Sequence, residues 1–499
     1  MLTTIAHSSH AKLRYAIDCS CHHSQSFAIS SSTFDSQPPQ PSIGGSSMVK
    51  FHAAPMQGYS NKYFRRFLRL LSDKIVLWTE MEKVDDLLCL KSGPLQDRLQ
   101  CCVADGSTVL QFGGNDYRKL VEVIDRVEQY RCVYDEYNLN CGCPSIETGG
   151  SKVFGAYLMK DPELIRCLAS KLSTATPKPV SIKCRIGVQD EMVASDGFSM
   201  QDDYGQLVDF VKVTSQGGVH HYIVHARAAV LAGLSPAQNR VVPPLRHDFV
   251  HQLAHDFPHL DITLNGGISS MHHLKECLLT ISDRPGATVR GIMAGRWLLR
   301  RPLDVWFIDQ EPSISCAGDE LRSHRREATS RTDAVRRYFR YLSHEMQHVD
   351  KSPPMEQVML PIVLVLEQLK DDYNVYAEST HTTRISPFTT HVLEIWSIYV
   401  ALVDGIELLF RGRLDVKHRK IMDYIGEAID EHYCLHSPDN LPADASGKAH
   451  ALVDAPPLGK LLSVATSFMS KKVVNKVLKN RCESGAVVLS VDSHTSADL

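Results

Sequence analysis

Three things are missing from this chain. It has no run of roughly 18 or more apolar residues, so no membrane-spanning helix is expected. Charge of one sign is missing too: 54 Lys and Arg stand against 57 Asp and Glu, a net charge of −3. Binding of a nucleic acid would have to rest on local basic patches. The 14 cysteines make no Cys-x-x-Cys pair and no regular spacing. That argues against a disulfide framework and for a reducing compartment. What remains is ordinary for a globular protein with a sizeable core, at 43% hydrophobic and 22% charged residues.

Residues 1–47 are rich in Ser, His, Gln and Pro, as in Ser30-Ser31-Ser32 and Gln37-Pro38-Pro39-Gln40-Pro41, and cannot bury a core. The segment is expected to be a disordered or targeting extension. Its Ser content suits an organellar transit peptide, but Lys12 and Arg14 are its only Lys or Arg residues, and Asp18 and Asp35 oppose them. A cytoplasmic location is therefore expected, with mitochondrion or plastid as the alternative. Met48 is a second candidate start. Cys19, Cys21, His22 and His23 have ligand chemistry but no scaffold, and no metal is expected.

From residue 48 to 312 short apolar runs alternate with helix-period segments. The runs are Lys50–Ala54, Ile75–Thr79, Val109–Phe112, Glu136–Leu139, Val180–Cys184, Tyr222–His225, Ile262–Leu264 and Gly291–Ala294. Between them lie helical patterns such as Tyr117–Gln129, Pro162–Leu172, Tyr204–Gln216, Leu245–His255 and Met271–Leu279. Eight alternations predict an α/β fold, a (β/α)8 TIM barrel. A doubly wound sheet usually has fewer strands. Over residues 320–434 the strands stop, and Arg331–His348, Met355–Tyr373, Thr390–Arg411 and Lys417–His432 predict an all-α helical domain. Residues 435–499 read as a linker and a basic C-terminal extension, in which Lys471–Arg481 forms a short helix capped by Ser470.

Each strand run ends in polar or Gly residues: Ala54-Pro55-Met56-Gln57, Thr79-Glu80-Met81, Gln111-Phe112-Gly113-Gly114, Asn140-Cys141-Gly142-Cys143, Lys183-Cys184-Arg185, His225-Ala226-Arg227, Asn265-Gly266-Gly267 and Gly295-Arg296. In a barrel of parallel strands these ends share one mouth, where chemistry is done. The Gly-Cys-Pro turn after Asn140 leaves the Cys143 thiol at that mouth. Loops after the seventh and eighth strands often hold a phosphate. Asn265, Gly266, Gly267 and Gly295 offer backbone N–H groups there, and Arg296 a guanidinium.

These residues carry a resemblance. Ala54-Pro55-Met56, Trp78-Thr79-Glu80-Met81, Gln111-Phe112-Gly113-Gly114, Asn138 through Ser145, Phe154 through Met159, Lys183 through Gly187, His225-Ala226-Arg227, Gly233-Leu234-Ser235-Pro236, Asn239 through Leu245 and Gly291 through Arg296 resemble the tRNA-dihydrouridine synthases. The run His225–Leu245 resembles their A-type branch. The resemblance spans about residues 49–310, is weaker over the helical region, and does not reach residues 1–47 or about 435–499. Cys141, and Ile146-Glu147-Thr148 after the turn, depart from the usual pattern.

The resemblance implies an oxidoreductase that uses FMN, with NADPH as hydride source, to reduce the C5–C6 double bond of a uridine in the tRNA D-loop. It implies a hydride from reduced FMN to C6 and a proton from Cys143 to C5. An ordinary thiol, titrating near ~8.5, is mostly protonated at neutral pH and suits that task. It further implies that Pro55, Met56 and Gln57 pack against the flavin ring, and that Gln111 hydrogen-bonds it. Lys183 would face its anionic edge, and His225 would complete the ring or phosphate contacts. Gly266, Gly267, Gly295 and Arg296 would hold the phosphate, with Asn265 beside them. Asn140, Arg227, Asn239, Arg240, Arg336 and Arg337 are expected on the tRNA side.

A tRNA substrate needs its base flipped into the mouth and its phosphates met by Lys and Arg. Arg322, Arg325, Arg326, Arg331, Arg336, Arg337 and Arg340 form one patch. Arg411, Arg413, Lys417, His418, Arg419 and Lys420 form a second, and Lys471, Lys472, Lys476, Lys479 and Arg481 a third. The first two fall where the resemblance puts a tRNA-binding domain; the third has no such support. A monomer is expected. The rival readings are an FMN barrel reductase acting on a small-molecule enone, and a tRNA-binding protein without catalysis.

Overall fold

The computed structural model describes residues 48–99, 107–129, 134–144, 154–190, 200–282, 289–315, 328–348, 353–380, 387–411, 413–435 and 456–479. Ten strands occur among them: β1 (Lys50–Ala53), β2 (Ile75–Lys83), β3 (Thr108–Gly113), β4 (Glu136–Cys141), β5 (Val180–Arg185), β6 (Val188–Gln189), β7 (His221–His225), β8 (Ala229–Val230), β9 (Asp261–Asn265) and β10 (Gly291–Ala294). Eight of them close a barrel in the order β1-β10-β9-β7-β5-β4-β3-β2, every pair parallel. The predicted TIM barrel is therefore present. Two-residue strands β6 and β8 pair separately at the mouth.

The barrel forms because each strand obeys a period of two. Tyr137, Leu139 and Cys141 of β4 belong to the large apolar layer beneath the helices. The alternate positions face inward, where a smaller cluster gathers Ala54, Val76, Trp78, Val109, Ile223 and Met293. The same inward parity carries polar residues. Gln111 Nε2 donates to Asn138 Oδ1 at 2.8 Å, and Asn138 Nδ2 to Ser181 Oγ at 2.7 Å. Ser181 donates to Glu136, which His221 Nδ1 meets at 3.0 Å. Nearly every barrel strand thus points some hydrogen-bonding group into a lined interior.

Two local departures from the expected elements have physical causes. β2 runs past Thr79 to Lys83, and its register against β3 shifts between Trp78 and Met81. An extra residue in the ladder keeps it paired and re-aims Thr79 and Glu80. The stretch after β2, to which the sequence pattern assigns no element, contains two short helices, Val84–Leu88 and Ser92–Leu99.

After the barrel come helices Arg331–His348, Met355–Thr380, Pro387–Phe410, Val416–Leu435 and Leu458–Ser467. All described residues lie in one compact unit, residues 46–499. The helices are seated on the barrel by a buried polar knot. Arg301 Nη1 reaches Asp372 at 2.7 Å and Arg301 Nε reaches Asp304 at 2.8 Å. Gln368 joins them, accepting from Leu303 N at 2.9 Å and donating to Asp304 at 3.0 Å. Barrel helix Lys62–Leu71 packs on the same layer, with Phe67 edge-on to Tyr338 at 5.3 Å. No described helix is long and apolar enough to cross a membrane.

Candidate active site

The turn after β4 is shaped by Asn140. Its side-chain Oδ1 accepts from Gly142 N at 3.1 Å and Cys143 N at 3.0 Å, closing an Asx-type turn. Its Nδ2 donates to Gln111 Oε1 at 2.9 Å, so the turn is fixed to the interior network. The Cys143 carbonyl accepts from Ala156 N at 2.8 Å. Gly155 makes that approach feasible: its φ is +73°, and a Cβ there would lie 2.5 Å from the Cys143 carbonyl oxygen. Cys143 itself is half-buried at the mouth.

A group of cations stands beside this turn. Burial, and next the charge of Arg185, pull the Lys183 ammonium down to about 8. Among the described residues no carboxylate pairs with it. Arg185 donates to Gly142 O at 3.0 Å, Ala228 O at 2.9 Å and Asn239 O at 2.8 Å, tying the β4 turn to the loops after β7. His225 is held well below its ordinary value by burial and then by Arg185, Lys183, Arg227 and Arg296. A neutral imidazole in the field of several cations suits a pocket that takes an anion.

The loop after β9 completes that pocket. Gly266 has φ +109° and Gly267 φ +79°, and neither tolerates a side chain. A Cβ on Gly266 would lie 2.6 Å from His225 Cδ2, and one on Gly267 2.5 Å from Leu245 Cδ2. Asn265 Nδ2 donates to Met293 O at 3.0 Å, linking β9 to β10. Gly295 lies under Met56, whose Sδ would be 3.2 Å from a Cβ there. The Nε of Arg227 is buried with no hydrogen-bond partner among the described residues. One unpaired buried donor and bare glycine backbone fit a phosphate-bearing ligand.

The family comparison decides what this mouth belongs to. The family described as Dihydrouridine synthase (Dus) matches residues 52–374. The chain belongs to the dihydrouridine synthase family. It is 32% identical over 308 residues to the tRNA-dihydrouridine(20/20a) synthase of Synechocystis, covering 61% of this chain and 82% of that one. It is 36% identical over 265 residues to the enzyme of that name from Salmonella typhi, covering 52% and 72%. The Escherichia coli K12 protein of the same name gives 36% over 265 residues, covering 52% and 69%.

Within this dihydrouridine synthase fold, Gln111, Asn140, Cys143, Lys183, His225, Arg227, Asn265, Gly266, Gly267, Gly295 and Arg296 gather around one mouth, with Pro55 and Met56 half-buried beside them. Two expectations change in detail. Asn239 is 0% exposed, and its amide is bound to Val230 and the Leu234–Ser235 backbone. It holds its loop and offers nothing to RNA. Gln57 is turned outward and donates to Glu80 at 2.9 Å rather than lying in the pocket. Arg337 is paired with Asp333 at 2.8 Å, whereas Arg336 is exposed. Arg240 is half-buried, and its carbonyl accepts from Arg296 at 3.4 Å. Arg322, Arg325 and Arg326 lie outside the described residues.

Arg185 is the residue sequence reasoning passed over. Its signal was present: two positions after Lys183 on one strand, it must share the inward face. His247, His273 and Cys277 also meet, their ligand atoms within 4.8 Å of one another. His247 Nε2 contacts Gly266 O at 2.8 Å, which gives this histidine a role in fixing the glycine loop.

Proposed function

We propose that this dihydrouridine synthase reduces the C5–C6 double bond of a D-loop uridine in tRNA, with FMN as its cofactor and NADPH as hydride source. The observation that carries the reading is the convergence of one thiol, Cys143, with the cations Lys183, Arg185 and Arg227 at a single barrel mouth. When bound, FMN supplies the hydride for the electrophilic C6 of uracil.

The chain's own residues do the rest. Cys143 gives a proton to C5, held in place by the Asn140 turn. Asn140 and Gln111 fix each other, and Gln111 keeps one N–H and one lone pair for a ligand. Lys183 offers a cation to the anionic edge of a reduced flavin. Gly266, Gly267, Gly295, Arg296 and Arg227 take its phosphate, while Pro55 and Met56 cover the ring. Residues 48–312 hold the cofactor, and the helices of 320–434 meet tRNA phosphates through exposed cations such as Arg336.

The test begins with the protein's visible spectrum and its bleaching by NADPH without oxygen. Unmodified tRNA is then added and dihydrouridine is mapped. Dihydrouridine confined to the D-loop is expected. Flavin that NADPH reduces, with no dihydrouridine in any tRNA, would replace this reading with a small-molecule enone reductase.

A further inference from the structure

Residues 471–479 form a helix that lies beyond the family match, and nothing in the chemistry above uses it. Its sequence divides cleanly by helical period. Val477 is 3% exposed and Val473, Val474 and Leu478 are half-buried, while Lys471, Lys472, Asn475, Lys476 and Lys479 are exposed. From Leu458 to Lys479 there is no acidic residue.

The helix is pinned at both ends. Ser470 Oγ caps it, accepting from Val473 N at 3.4 Å, and Ser470 N donates to Glu356 at 2.9 Å on helix Met355–Thr380. The preceding helix Leu458–Ser467 buries Leu461, Val464 and Ala465. On the other side is the barrel. Tyr59 Oη donates to the Lys476 carbonyl at 3.3 Å, and the Lys476 ammonium stands 5.7 Å from the Tyr59 ring centroid. A Cβ on Gly58 would lie 3.3 Å from that ammonium. Gly58 and Tyr59 continue the loop of Pro55, Met56 and Gln57, so the helix sits on the rim of the active-site mouth.

We propose that residues 471–479 are a second RNA-binding element, whose lysines take backbone phosphates of the tRNA whose base enters the mouth. The inference rests on the tRNA reading above. Four lysines held on a pinned helix repel one another, and a polyanion relieves that repulsion. Glu80 faces Lys476 from the barrel rim. The helix turns its apolar side toward the protein and presents its lysines outward, which favours RNA over a membrane surface.

The experiment measures tRNA affinity of the full chain across a salt series. The variants are Lys471→Gln/Lys472→Gln/Lys476→Gln/Lys479→Gln and the same four positions changed to Arg. A Lys471→Glu/Lys472→Glu double variant touches only outward-facing positions and guards against misfolding. The Gln and Glu variants should bind at least about tenfold more weakly, with the salt slope reduced by about one unit per lysine that meets a phosphate. The Arg variant should bind like wild type. Equal affinity and slope in all variants overturns this inference alone, as does tighter binding, which would mean that the helix screens the mouth. Wild type that binds no tRNA contradicts the tRNA reading itself. Wild type retained by phosphatidylserine vesicles but not by tRNA would assign the helix to membranes and overturn the proposal.

Discussion

At the scale of single residues, the site is a set of charges that burial has made responsive. Lys183 is the clearest. Its ammonium loses water at the mouth and has Arg185 as a neighbour, and both favour the neutral amine. The group is charged below about 8 and neutral above it. A bound anionic flavin would raise that value. Reduction of the flavin by NADPH should therefore slow as pH rises, with the inflection at or above about 8. Stopped-flow rates across pH check this. Lys183→Met should be slow throughout and lack the inflection, and Lys183→Arg should move the fall to higher pH. An inflection that survives Lys183→Met would contradict the assignment. His225 is shifted in the same direction: burial first, and then its four cationic neighbours, hold it neutral, so it offers an uncharged imidazole.

At the scale of elements, close approach matters more than charge. Helices Arg331–His348 and Pro387–Phe410 pack where Gly405 lies against the Phe339 ring. A Cβ on Gly405 would come within 2.1 Å of Phe339 Cδ2 and 2.2 Å of Cγ, the base of the ring rather than its free end. In an exposed helix, Gly→Ala stabilises by about 0.8–1 kcal/mol. Here overpacking should reverse the sign and destabilise by about 1–3 kcal/mol. Denaturant unfolding of Gly405→Ala measures the difference, and an unchanged or raised midpoint would show that the two helices separate freely. The turn after β4 follows the same logic, since Gly155 is required where the Cys143 carbonyl passes.

At the scale of the molecule, the barrel was legible because its strands combine a period of two with glycine or polar ends. Seven of the eight runs fall within a residue or two of the observed strands. The exception is β2, where a register shift against β3 carries pairing on to Lys83, which local pattern does not encode. Helix Arg331–His348 was legible to the residue; Leu458–Ser467, which follows a linker-like stretch and is not expected from the sequence, forms because tertiary packing covers it. The strand ends foretold which residues meet at the mouth. They did not foretell that Asn239 would turn inward or Gln57 outward, since a loop side chain's direction is set by distant partners such as Val230 and Glu80. The rim helix 471–479 was legible as basic, but its place beside Tyr59 came only with the fold.

The central claim is that this mouth reduces a tRNA uridine with Cys143 as the acid. Its most direct test is a single-turnover assay with NADPH-reduced protein and unmodified tRNA, comparing wild type with Cys143→Ala. The account predicts dihydrouridine in the D-loop with wild type and a yield rate lower by about 100-fold or more with Cys143→Ala, while NADPH still reduces the flavin in both. Equal rates in the two proteins would contradict it.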